Sequence, residues 1–63
     1  MTEPNITLLA AEARFHRERF ALYGAKRYSG RPTSEARFRE LKRASDAAQG
    51  RLLLARRTAA HLN

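Results

Sequence analysis

Apolar and small residues recur at alternating intervals of three and four along the second half of the chain: Phe38, Leu41, Ser45, Ala48, Leu52, Ala55, Ala59 and Leu62. This spacing, held for more than three heptads, is that of a helix whose seam faces another helix. Half of these seam residues are Ala or Ser, so the facing backbone has to come close. The first third of the chain carries a matching series, Ile6, Leu9, Ala13, His16, Phe20 and Tyr23. Set antiparallel, the two series pair as Tyr23–Phe38, Phe20–Leu41, His16–Ser45, Ala13–Ala48, Leu9–Leu52 and Ile6–Ala55. One register, centred between Gly30 and Arg31, closes every layer. The pattern predicts an all-α fold, a two-helix antiparallel coiled-coil-like hairpin. It occupies residues 1–63 as one unit, with helices over about 6–27 and 34–60 and a turn at 28–33.

The punctuation agrees with this reading. Thr2 or Asn5 can cap the first helix, and Pro4 is tolerated only in its first turn. Gly24 weakens the last turn of that helix. Gly30 can adopt the left-handed conformation that ends it, and Pro32 disfavours a helical Arg31. Thr33 or Ser34 then caps the second helix, with Glu35 at its positive end.

A second apolar line on the first helix, Leu8, Phe15 and Leu22 with Ala11 beside it, falls off the seam, as do Leu53 and Leu54 on the second. A two-helix layer leaves these residues uncovered. They are expected to meet a second copy, giving a homo-oligomer such as a helical bundle, or a heterologous protein partner. The alternative is that they widen the core of an asymmetric hairpin. Sixty-three residues without cysteine bury little and lack a disulfide staple, which also favours assembly or a partner.

Charge adds a second constraint. Thirteen Lys and Arg against six Asp and Glu give a net charge of +7 and a pI near 11.4. Such a balance points to RNA, DNA or another polyanion. Eleven of the thirteen are Arg in an Ala-rich chain, a composition that a GC-rich genome also produces. No apolar run reaches transmembrane length, no signal-peptide pattern begins the chain, and the lack of cysteine suits a cytoplasmic setting.

The stretch from Gly24 to Ser34 holds three bases and no acid. The N-terminus of the second helix presents unpaired backbone N–H groups there, a geometry suited to phosphate. Lys26, Arg27, Tyr28, Arg31, Thr33, Ser34 and Arg37 are the candidate anion contacts, Tyr28 by stacking on a base. In the predicted register Lys26 faces Arg37 and Arg17 faces Lys42, both like-charged. Glu12 is expected to meet Arg51, Glu3 to reach Arg56, and Glu35–Arg39 and Glu40–Arg43 to pair along the helix. Arg14, Arg39, Arg43 and Arg57 form a more diffuse basic surface.

Catalysis has little to stand on. Glu12, His16 and Ser45 superficially suggest an orienting carboxylate, a base and a nucleophile, but two helices supply neither pocket nor oxyanion hole. A polar layer that fixes register is the better reading. No catalytic residue, cofactor or metal site is expected.

Arg17-Glu18-Arg19-Phe20-Ala21-Leu22, Ser29-Gly30 and Leu41-Lys42-Arg43 are similar to the Phe-x-Leu, turn-Gly and basic second-helix pattern of the small two-helix protein family of the large ribosomal subunit. The length of the Phe20–Gly30 segment and Arg31-Pro32-Thr33 depart from that pattern. The resemblance implies an antiparallel hairpin whose basic surface meets ribosomal RNA. Residues and resemblance together lead to two expectations: a basic helical-hairpin module docking on a phosphate-rich partner, or a protein-interaction hairpin acting through Leu8, Phe15 and Leu22.

Overall fold

The computed structural model describes residues 5–62, with side chains as far as Ala60. Helix α1 runs Ile6–Tyr28 and helix α2 Glu35–Leu62, and the two pack antiparallel. At 1.5 Å per residue they are about 34 and 42 Å long, consistent with a molecule measuring 49 × 17 × 16 Å.

Each end of the connection is set by local chemistry. The Asn5 side chain accepts a hydrogen bond from the Leu8 N–H at 3.0 Å and so caps α1; Thr2 lies outside the described residues. Past the other end of α1, Gly30 takes φ +79°. The Gly30 N–H donates to the Arg27 carbonyl at 3.3 Å and the Arg31 N–H to the Lys26 carbonyl at 3.2 Å. This pair of bonds is the Schellman arrangement, which needs a left-handed residue between them. Of the two candidate caps for α2, Ser34 is the one used: its Oγ accepts from the Arg37 N–H at 3.2 Å.

The seam forms where the three-four spacing puts it. Ala13, Leu41, Ser45, Ala48, Leu52 and Ala55 are buried. Ile6, Leu9, His16, Phe20, Tyr23, Phe38 and Ala59 are half-buried. Leu62 lies outside the residues whose side chains are described. The innermost cluster is Ala13, Ala48 and Leu52, with Ile6, Leu9 and Ala10 against it. Ala opposite Ala brings the backbones together and lets Leu52 close the layer beside them. At the turn end Phe38 packs on two rings, Tyr23 at 6.5 Å and Phe20 at 5.0 Å between centroids. Phe20 therefore meets Phe38 in addition to the Leu41 layer assigned by the register.

The expected polar layer differs in detail. Ser45 is buried and His16 half-buried, but no hydrogen bond joins them; the His16 ring instead stands edge-on to Phe15 at 5.4 Å.

Candidate binding surfaces

Of the turn's candidate anion contacts, Arg27, Ser34 and Arg37 are engaged within the hairpin. The Ser34 N–H donates to the Tyr23 hydroxyl at 2.6 Å, and that hydroxyl lies 3.4 Å from the Ser34 carbonyl, to which it donates. With the Arg37 N–H on Ser34 Oγ, two donors at the start of α2 are already occupied. Arg27 crosses the seam: its guanidinium lies 4.2 Å from the Phe38 ring centroid and 3.0 Å from the Glu35 carboxylate. Arg37 pairs with Glu40 at 3.3 Å. Arg27 with Glu35 and Phe38, and Tyr23 with Ser34, thus form a clasp between the two helices. Thr33 is exposed in the connection, Tyr28 is 96% exposed, and Lys26 and Arg31 are exposed.

Several expected ion pairs do not form. Glu35 reaches across to Arg27 instead of along the helix to Arg39, and Glu40 takes Arg37 instead of Arg43. Among the described residues these are the two ion pairs, so Glu12 and Arg51 remain apart; Glu3 lies outside the described residues. Exposed pairs are worth only about 0–1 kcal/mol, too little for a register to dictate which partner a long side chain chooses.

Most of the positive charge is consequently uncompensated at short range. Of the thirteen Lys and Arg, the two ion pairs hold Arg27 and Arg37, which leaves eleven without an ion-pair partner among the described residues. At about 100° per residue, an antiparallel pair has two flanks beside its seam. One carries Arg17 and Lys42 across from each other, with Arg39 and Tyr28 toward the turn and Asp46 as its acid beyond the clasped Glu35. On the opposite flank Arg19, Leu22, Tyr23, Lys26, Arg37 and Leu41 line a shallow groove, so Lys26 does face Arg37. Arg31, in no ion pair among the described residues, shares a second depression with Leu22, Ala25, Lys26 and Ser29.

The apolar candidates stand in solvent. Leu8, Phe15, Leu22, Leu53 and Leu54 are each more than half exposed. Helical geometry divides them: Leu54 shares the flank of Leu8, Phe15 and Leu22, whereas Leu53 falls on the Arg17–Lys42 flank.

Arg27, an anion contact by its sequence setting, is held instead by Glu35 and Phe38. The signal lay in the seam itself, because four residues past Tyr23 the series reaches Arg27. Among the described residues no group of His, Asp or Glu side chains could hold a metal ion, and no helix is long and apolar enough to cross a membrane. No family model, curated protein or solved structure matches the chain.

Proposed function

We propose that the chain is a small helical-hairpin module that docks on the phosphate backbone of RNA or DNA. The contact surface is the flank running from Tyr28 at the turn to Arg39, Lys42 and Arg17. The observation that carries this reading is the set of eleven cations without an ion-pair partner among the described residues of so small a chain. Holding Arg17 and Lys42 across from each other is unfavourable in isolation, and a phosphate between them relieves the repulsion. The exposed Tyr28 ring adds a stacking surface indifferent to base identity. The clasp keeps α1 and α2 at fixed spacing, so the cations are presented on a rigid pair of rods rather than on a mobile loop.

Recognition of this kind positions a strand without reading its sequence. Fluorescence anisotropy with random-sequence RNA and with duplex DNA at low salt should show binding to both. Replacing Arg39 and Lys42 with Gln should weaken that binding. Arg27→Gln should instead lower thermal stability, because Arg27 is already engaged by Glu35 and Phe38. The reading fails if Arg27→Gln is the more damaging change for binding at a temperature where both variants are folded.

The second reading, a protein-interaction hairpin, is favoured by the exposure of Leu8, Phe15 and Leu22.

A further inference from the structure

Helix α1 is apolar on two opposite sides. Ile6, Leu9, Ala13, His16, Phe20 and Tyr23 face α2. About 160° around the helix, Leu8, Ala11, Phe15, Leu22 and Ala25 form a second series at the same spacing, with Glu18 on the side of it nearer Arg14. This second series is exposed throughout, including 54% at Leu8, 55% at Phe15 and 68% at Leu22. Helix α2 keeps a single buried stripe, so α1 has the pattern of a central helix covered on one side only.

The charges bordering the bare stripe identify what covers it. Glu12 and Arg19 lie along one border, and Arg14 and Glu18 along the other. None of the four has an ion-pair partner among the described residues. Their order is self-complementary about a centre near Phe15 and His16. A second α1 laid antiparallel on the first, with a two-fold axis at that centre, sets Glu12 beside Arg19 of the other copy. The same operation sets Arg14 beside Glu18 of the other copy, and each pair occurs twice. Leu8 and Leu22 are equally spaced on either side of Phe15, so each meets the other's counterpart while Phe15 meets Phe15. Ala11 and Ala25 allow the backbones to approach. The Arg19 guanidinium, 5.5 Å from its own Phe15 ring centroid, already lies at the rim of this patch.

We infer that the chain forms an isologous dimer through the back of α1, a row of four helices with the two α1 helices in the middle. A symmetric interface requires the same patch on both partners to be self-complementary, which the order of Glu12, Arg14, Glu18 and Arg19 satisfies. The basic flank of each hairpin stays outside this contact, apart from Arg14 at its border. Dimerisation therefore stands independently of nucleic-acid binding.

Charge reversal tests it on the full chain. Sedimentation equilibrium of the unmodified protein should show a dimer at micromolar to submillimolar concentration. Glu12→Arg and Arg19→Glu should each raise the dissociation constant about ten-fold, since attraction becomes repulsion at two symmetry-related places. Combining them should restore it to within about three-fold, because the pairs re-form with signs exchanged. Arg14→Glu and Glu18→Arg, both at exposed positions that leave the hairpin intact, should behave the same way. A monomer throughout this range, indifference to the single reversals, or a double variant no tighter than the singles would overturn the dimer.

Discussion

Three consecutive leucines on α2 offer a demanding test of the register. Leu52 is 6% exposed and touches Ala13 and Ala48, whereas Leu53 is 56% exposed on the basic flank. Truncating Leu to Ala removes three carbons, worth roughly 0.8 kcal/mol each when fully buried. For Leu52 nearly all of that is lost, about 2 kcal/mol before any contribution from the cavity left between the helices. For Leu53 less than half of the side chain is buried, so the loss is at most about 1 kcal/mol. The higher helix propensity of Ala offsets a few tenths of that. In a domain of this size 1 kcal/mol moves the midpoint by about 4–8 °C. Thermal melts followed by circular dichroism should therefore show Leu52→Ala lowering Tm by at least about 10 °C and Leu53→Ala by a few degrees. An excluded osmolyte raises both curves if the baseline is too short. Equal shifts, or a larger one at Leu53, would mean that the three-four seam is not what holds α1 against α2.

Other outcomes follow from the turn. Tyr23→Phe keeps the ring against Phe38 but removes the hydroxyl from the Ser34 N–H and carbonyl; a urea melt should show a loss of about 1 kcal/mol, with m unchanged. The glycines should respond with opposite signs. Gly30→Ala places a side chain at φ +79° and should cost about 1 kcal/mol or more. At Gly50 a Cβ meets nothing within 4 Å, so Gly50→Ala should stabilise α2 by about 0.5–1 kcal/mol.

The fold was legible because one physical rule generates it. Alternating three-four spacing in two stretches, with Gly30, Pro32 and Ser34 between them, specifies two helices, their faces and the antiparallel register. Burial of Ala13, Ser45, Ala48 and Leu52 follows from that rule, as does exposure of Phe15 and Leu53. The turn's side chains were less legible. Arg27 stands at a seam position, but its reach to Phe38 and Glu35 depends on where α2 begins and how Gly30 bends the chain. Likewise, the choices of Glu35 for Arg27 and Glu40 for Arg37 are rotamer decisions worth a fraction of a kcal/mol, below what periodicity encodes. Cation accessibility is a property of those choices, so the list of turn residues free to meet an anion emerged only with the side chains in place.

Nucleic-acid docking is most directly tested by the salt dependence of binding. Each phosphate neutralised by a Lys or Arg releases condensed counterions, so log K falls linearly with log salt, with a slope that counts contacts. Anisotropy titrations of labelled RNA and duplex DNA from about 50 to 200 mM salt should give a steep negative slope for the unmodified protein. Arg39→Gln with Lys42→Gln should lower that slope by about one unit per lost contact. Absence of binding to both RNA and duplex DNA at about 50 mM salt, or a slope unchanged by these substitutions, would contradict phosphate docking through the Arg17–Lys42 flank.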